Sequence, residues 1–337
     1  MTFYPSTDAL KYAFTFVPAF ICVSAIQSIP AQANLWHLGL DNDVVIGDDG
    51  DFSNGISIGW QTGSENDFYQ ALLPFKWQSK LLIPQQSDRK QWGVQIYQRM
   101  WTPTEIKYDY AQPNERPYAG LLELESFTAN YGSQIAQKNW LAVGIMGPAS
   151  GVQATQEFVH KLTSSTAPNG WQYQIKSQLT LQLAYEADYL ITRNRAFTNS
   201  EWELSGHSYS QLGNFRSETT LGMSLRWGDD LAQSFGQLSS HQGHYGQYSA
   251  TAREGGTWSV FSRAQVGYRF NDLTLDGDLP YDSYIQLNNQ QAQASAGVIW
   301  AFPNWSLSWR FDFYSKEYQT DPQDWHAYGV LSYSWRM

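Results

Sequence analysis

Residues 171–185 alternate between apolar and polar side chains with a period of two, with one exception in each set. The apolar positions begin at Trp171 and end at Tyr185, and the positions between them are mostly glutamine, lysine and threonine. Successive side chains of a β-strand point to opposite faces, so this segment predicts a long strand with one apolar and one polar face. Aromatic residues at both ends of the apolar face are typical of a strand that crosses a membrane within a barrel.

A single amphipathic strand could equally belong to a soluble sandwich, but the same alternation recurs along the chain. It is found in residues 219–227, 258–270 and 305–313, and again in residues 331–337. The repetition predicts an all-β fold, a transmembrane antiparallel β-barrel. A strand with its connection takes roughly 20–28 residues in a bacterial barrel, which allows about 10 to 14 strands here.

The start of the chain has the pattern of a secretory signal peptide. Lys11 precedes an apolar stretch, and Ala31-Gln32-Ala33 provides small residues for cleavage. The apolar stretch is too short to span a bilayer. We therefore expect residues 1–33 to be removed and residues 34–337 to form one domain in the bacterial outer membrane. The single cysteine, Cys22, lies in the removed part, so we expect no disulfide and no cysteine-based metal site.

Charge and composition restrict the partners of the chain. The formal net charge is −10, which argues against nucleic acid as a partner. The 15 Trp, 21 Tyr and 17 Phe suit aromatic girdles at both membrane interfaces, so outer membrane lipids are the expected surroundings of a monomer. Four polar stretches predict the longer outer loops: residues 85–88, 102–113, 192–206 and 237–256.

Chemistry is expected where polar residues interrupt the barrel pattern, and the first such place follows the first predicted strand. Leu40-Asp41-Asn42-Asp43 leads into a turn, residues 48–55, that is rich in carboxylates and amides. Oxygen ligands of this kind suit a hard cation. The spacing is not that of an EF-hand, because Ile46 and Phe52 stand where glycine and glutamate are required. A solvated acidic turn would explain the same residues.

Two further segments depart from the barrel pattern. Residues 147–162 combine a Gly-Pro break with a stretch of helical character, and helical spacing places Gln156 and His160 on one face. Residues 114–120 open another strand, and by residue type alone they are explained as a turn with an arginine packed against a tyrosine.

Over most of its length the chain resembles the outer-membrane lipid A 3′-O-deacylases of the LpxR type. The matching motifs come in the family's order: Asn42-Asp43, Asp51-Phe52-Ser53-Asn54-Gly55, Gly147-Pro148, Gln156-x-x-x-His160 and Pro168-Asn169-Gly170-Trp171-Gln172. The resemblance implies a twelve-stranded barrel with a short helix near the active site. It also implies a calcium-dependent hydrolase that removes the 3′-linked acyloxyacyl chain from lipid A, the anchor of lipopolysaccharide, in the outer leaflet.

Carried over residue by residue, the resemblance assigns catalytic roles to His160, Gln156, Asn42 and Ser53. It assigns the calcium ion to Asp43, Asn42 and Ser53. His160 would activate a water molecule, Gln156 would orient the histidine or the water, and calcium would polarise the ester carbonyl. Ser53 stands where the family has a threonine and keeps the hydroxyl.

Two alternatives remain open at this point. Ser53-Asn54-Gly55 is similar to the Ser-Asn-Gly of barrel phospholipases that use a serine nucleophile. Those enzymes carry a histidine two residues before the serine, whereas this chain has Asp51 there, so the nucleophile would lack its base. The second alternative is a non-enzymatic barrel, such as a porin, whose site has decayed.

Overall fold

The computed structural model describes residues 34–42, 51–63, 68–69, 71–85, 89–197, 199–241, 248 and 252–337. The strands in this part of the chain are β1 (Leu35–Asn42), β2 (Asp51–Gln61), β3 (Arg89–Thr102), β4 (Ala119–Tyr131), β5 (Ile135–Met146), β6 (Gln178–Arg195), β7 (Glu201–Gly213), β8 (Arg216–Gly228), β9 (Thr257–Asp272), β10 (Gln290–Phe302), β11 (Trp305–Ser315) and β12 (Trp325–Arg336). Each pairs with its neighbours in sequence, and β1 closes the barrel by pairing with β12. The predicted antiparallel β-barrel is confirmed. The proposed signal peptide lies outside the described residues and stays a prediction.

Helices are short. The α-helices are α1 (Leu73–Gln78), α2 (Val152–Thr163) and α3 (Leu273–Asp276), and 3-10 turns cover Ser79–Leu81, Pro148–Ser150 and Trp171–Tyr173. Among the described residues, no helix is both long enough and apolar enough to span a bilayer.

The period-two pattern separates the outside of the barrel from its lumen. On β6, Leu179 and Leu181 are 70% and 64% exposed, whereas Thr180 and Glu186 are fully buried. Apolar side chains therefore face outward, toward lipid, and polar side chains line the interior.

The strand predicted at residues 171–185 begins later than expected, at Gln178. Residues Trp171–Tyr173 form a 3-10 turn, and Trp171 is buried against Tyr118, with 4.9 Å between the ring centroids. Trp171 fits the alternation although it is not in the strand. Its apolar side chain packs beside the strands and does not face lipid. The predicted loop at residues 192–206 is also wrong, since β6 and β7 extend through most of it and Arg193 Nε donates to Glu203 across the pair at 2.9 Å.

The two ends of the barrel carry different connections. Leu35 pairs with Arg336 at one end, which we call the termini end, and the opposite end is called the far end. The connections after β2 and β8 lie at the termini end, whereas residues 103–118 lie at the far end. Gln85 and residues 237–241 are thus not on the same side as residues 103–113, so the four polar stretches cannot all be outer loops. A polar composition identifies a connection but not the end at which it lies.

The lumen is filled by ion pairs and by a segment that folds back into it from the termini end. Residues 229–241, the inward segment, follow β8. Lys138 is completely buried, and its Nζ lies 3.0 Å from Glu186 and 3.2 Å from Asp188. The same ammonium donates to the carbonyls of Gly236 and Leu238 in the inward segment, at 2.7 and 2.6 Å. A buried ammonium is tolerated because each of its donors finds an acceptor.

A second set of ion pairs occupies the lumen near the far end. Glu317, in the connection between β11 and β12, accepts from Arg116 at 3.0 Å and lies 3.6 Å from Arg216. Burial alone would raise the pKa of Glu317, but the guanidinium groups of Arg269, Arg116 and Arg216 hold this pKa well below its usual value. Arg116 also donates to the Thr274 hydroxyl at 3.1 Å, so the arginine of the third polar segment ties the far-end connections together.

Candidate functional site

Helix α2 lies on the outer wall of the barrel, over β3 and β4. Met100 alternates with the lumen-facing residues of β3 and therefore points outward. It is nevertheless only 6% exposed, because Val152 of α2 and Trp171 cover it. Gln98, two residues earlier, donates to the Ser150 carbonyl at 3.1 Å and accepts from the Thr155 hydroxyl at 3.0 Å. The helix is thus fixed to a surface that elsewhere faces lipid.

Glycines allow the chain to leave β5 and enter this helix. Gly147 has φ 87°, and a Cβ built on it would lie 2.5 Å from the carbonyl oxygen of Ile175. Its amide donates to the Gly120 carbonyl of β4 at 2.8 Å, which anchors the turn to the wall. Gly151, with φ 71°, precedes the first residue of α2. The Gly-Pro break seen in the sequence is therefore a tight exit from the sheet, at positions where a side chain would be strained.

Gln156 and His160 lie one turn apart on α2, as the spacing predicted. Gln156 is buried, and its Oε1 accepts a hydrogen bond from the indole Nε1 of Trp171 at 2.7 Å. The orientation of the amide is thereby set, because the indole N–H can only donate. The Nε2 group of Gln156 remains as the donor end of the side chain.

His160 is half-buried near the end of α2. Its Nδ1 lies 2.5 Å from the carbonyl oxygen of Thr166. A carbonyl can only accept, so Nδ1 carries the hydrogen and Nε2 has the free lone pair. The chain turns back at Ser164, whose φ is 57°, and this turn brings Thr166 to the imidazole. The arrangement fixes one tautomer of His160, the one in which Nε2 can accept a proton.

Asn42 belongs to the same stretch of the outer wall. Along β1, buried positions alternate with partly exposed ones, and Asn42 shares the outward set with Leu38 and Leu40. It pairs in register with Asn54, and Asn54 pairs with Met100, the residue beneath α2. The first polar motif and the helix are therefore placed at the same end and on the same side of the wall, two strands apart.

The remaining predicted ligands are only partly described. Ser53 lies in β2 where the register shifts between Phe52 and Asn54, and its side chain is outside the described residues, as is all of Asp43. Asp41, next to Asn42, faces the lumen and accepts from the Tyr97 hydroxyl. Within the described ranges, no group of three or more His, Cys, Asp or Glu side chains is placed to hold a metal ion. The calcium site stays a prediction.

The residues that support α2 from the side were predicted to have other roles. Trp171 was predicted as a strand residue, and Tyr118 only as the packing partner of an arginine. Tyr118 instead donates to the Ile106 carbonyl at 3.1 Å, and burial raises its pKa to about 12. The backbone N–H of Asn169 donates to the same Ile106 carbonyl at 2.8 Å. Pro168-Asn169-Gly170 is turn chemistry directly before Trp171, and this signal could have argued against a strand there.

Lys107 lies in the same far-end connection, residues 103–118. Its ammonium is exposed and lies 2.7 Å from Glu105, and this hydrogen bond and charge raise the pKa of Lys107. The Asn169 side chain donates to the Lys107 carbonyl at 3.0 Å, so the lysine is held beside the segment that carries Trp171.

A closed barrel with an apolar exterior and a polar interior defines a membrane-spanning β-barrel protein. The family model described as outer membrane protein LpxR matches residues 12–337. The chain belongs to this family, as the motifs predicted, and its barrel lies in the outer membrane.

A solved structure supports this fold. LpxR from Salmonella typhimurium is similar with a TM-score of 0.72 and 15% identity, over 89% of this chain and 99% of that chain. The β domain of the Bordetella autotransporter BrkA has a TM-score of only 0.44 at 10% identity, over 91% of this chain and 99% of that chain. No protein with a curated description matches the chain significantly.

Proposed function

We propose that this protein is a lipid A 3′-O-deacylase that removes the 3′-linked acyloxyacyl chain from lipid A in the outer leaflet. The observation that carries the proposal is the position of His160. Its imidazole is held in a base-competent tautomer on a helix that lies against the lipid-facing wall. A membrane lipid can reach this surface without entering the lumen. Membership of the LpxR family supports the same substrate.

The residues of α2 suggest the steps of an ester hydrolysis. Nε2 of His160 accepts a proton from a water molecule while the water oxygen attacks the ester carbonyl. The imidazolium formed is stabilised by the Thr166 carbonyl at Nδ1. It then returns the proton to the sugar oxygen that leaves. Gln156, with Oε1 committed to Trp171, offers Nε2 to orient the water.

Calcium is proposed as the cofactor, held by Asn42, Asp43 and Ser53. The only one of these side chains that the structure describes, Asn42, offers an amide oxygen on the outer wall, and an oxygen donor fits a hard cation. A bound calcium ion would polarise the ester carbonyl and stabilise the developing oxyanion. It would also offset repulsion between a chain of net charge −10 and a phosphorylated lipid.

The structure gives the alternatives less support. A serine phospholipase needs a histidine beside Ser53, but β2 carries Asp51 two residues earlier, and His37 on the adjacent strand is buried in the lumen with Gln95. A porin needs an open lumen, whereas the inward segment and its bonds to Lys138 occupy it.

The test compares acyl release from purified lipid A and from phospholipid, each with calcium and with a chelator. We expect loss of the 3′ acyloxyacyl chain in mass spectra of lipid A, abolished by the chelator and restored by calcium. Release from phospholipid alone would support the serine lipase. Full activity in chelator would remove calcium from the mechanism. Light scattering in detergent should show the proposed monomer.

A further inference from the structure

Two helices lie against the same part of the outer wall at different heights. Near the far end, α2 is bonded to Gln98 of β3. Near the termini end, α1 covers Trp92 of the same strand, and the rings of Phe75 and Trp92 are 4.5 Å apart. Gln78 of α1 also donates to the Ser126 carbonyl of β4 at 3.0 Å. About 20 Å of strand, at roughly 3.3 Å per residue, separates Trp92 from Gln98.

Two rows of outward side chains fill the wall between the helices. The strand register places one row directly beside the other: Val94, Ser126, Leu141 and Leu183, then Ile96, Leu124, Val143 and Leu181. Ile96, Leu124 and Leu181 are between 50% and 64% exposed, so no part of the described chain covers them. The second row begins at Ile96, the next outward position of β3 after Gln98 toward the termini end.

All of these side chains except Ile96 line a groove of about 560 Å³ on the lipid-facing wall, together with Leu212 of β7. Most of the lining residues are aliphatic, and the polar ones are Ser126, Glu125 and Gln182. The groove is continuous with the apolar exterior of the barrel, and on β3 and β4 it is bounded by α2 toward the far end and by α1 toward the termini end. Such a bounded apolar channel fits one linear aliphatic chain.

We propose that this groove is the subsite for one of the two hydrocarbon chains of the 3′-linked acyloxyacyl group, an inference that rests on the proposed function. Thr155 of α2 is hydrogen-bonded to Gln98 at the side of the groove nearest the far end. His160 follows about 7.5 Å further along the helix axis. An ester placed at His160 has its carbonyl at the membrane surface and must direct its hydrocarbon into the membrane. The groove offers an apolar path for it, and α1 limits the length of chain that fits.

The test fills the groove and compares the result with the same change elsewhere on the wall. Val143→Trp places an indole in the groove, and Val266→Trp places one on the lipid-facing side of β9, where the valine is 65% exposed. We expect Val143→Trp to lower kcat/KM at least tenfold for lipid A with a long 3′ chain and less for a short-chain analogue. Val266→Trp should match the wild type on both substrates. Both variants should show the heat-modifiable migration of a folded barrel.

Equal activity of the two variants on every chain length would refute the proposed acyl-chain subsite but not the proposed deacylase function. A wild-type protein that leaves lipid A unchanged would instead refute the proposed function, and the groove with it. A second measurement does not depend on turnover. A His160→Gln variant incubated with lipid A carrying a photoreactive acyl group should be labelled in peptides of β4, β5 and β6. Labelling spread evenly around the barrel would show ordinary annular lipid and refute the subsite.

Discussion

The lumen and the outer wall of this barrel use polar residues in opposite ways. Inside, charges are numerous, and Lys138, Glu186 and Asp188 satisfy one another in complete burial. Outside, polar side chains are few, and His160 and Asn42 stand on or beside a surface of leucine and isoleucine. The buried charge cluster around Lys138 is therefore structural. A polar group on the lipid-facing side is the more informative sign of function, because lipid gives it no partner.

The largest effect is expected from His160→Gln. Glutamine cannot serve as a base at neutral pH, so acyl release should fall on the order of 10²–10⁴-fold, the usual contribution of a positioned general base. The measurement is the rate of lipid A deacylation with saturating calcium. Stability to urea should change little, since His160 is half-buried and its bond to Thr166 is local. A variant that keeps a tenth or more of the activity would rule out His160 as the base.

Lys138→Met should have the opposite profile. It removes the nearest cation from the buried Glu186 and Asp188 and leaves them only Arg263, at 3.6 and 3.4 Å. Breaking a buried pair in this way costs about 3–5 kcal/mol. The measurement is urea unfolding in detergent, followed by the shift in gel migration. The folded fraction should keep its kcat, because Lys138 faces the lumen. Combining the change with Glu186→Gln should recover part of the lost stability. A stable but inactive Lys138→Met would contradict the assignment of structure to the lumen and of catalysis to the outer wall.

The wall could be predicted from the sequence because a barrel strand is a local pattern. Leu179 and Leu181 face outward for the same reason that their neighbours Thr180 and Glu186 face inward, and this reason is visible in the order of residues. Trp171 is the exception that shows the limit. Its burial depends on Tyr118 and Gln156, which are distant in the sequence, and no periodicity contains that information.

The site was predicted only in its parts. Gln156 and His160 could be paired by helical spacing, but the place of their helix on the outer wall depends on Gln98 and Met100 of β3. The hydrogen bond from His160 to Thr166 could not be predicted from the sequence either, because it arises from a turn at Ser164. Tertiary contacts of this kind decide which tautomer and which surface a candidate residue presents.

A smaller effect is expected from Trp171→Phe, which tests how the wall supports the site. The ring still packs on Tyr118, but Gln156 Oε1 loses its donor, and a buried unpaired acceptor costs about 1–3 kcal/mol. Deacylation should fall about 10- to 100-fold, and the loss should largely disappear when Gln156 is already alanine. Trp309→Phe, on the lipid-facing side of β11, is the matched control and should match the wild type. Equal losses with and without Gln156 would mean that the indole acts through packing alone.

The smallest effect is expected from Ser53→Ala, and it distinguishes a ligand from a nucleophile. If Ser53 only holds the cation or a water molecule, removing its hydroxyl should slow hydrolysis about 2- to 10-fold, the worth of one hydrogen bond. It should also raise the calcium concentration needed for half-maximal activity. Intact-protein mass spectra of the wild type, taken during turnover of a slow substrate, should show no added acyl group. A covalent adduct on Ser53, together with complete inactivity of Ser53→Ala, would instead make this residue the nucleophile. The reaction would then proceed through an acyl-enzyme, with the Ser53 hydroxyl instead of water attacking the ester carbonyl.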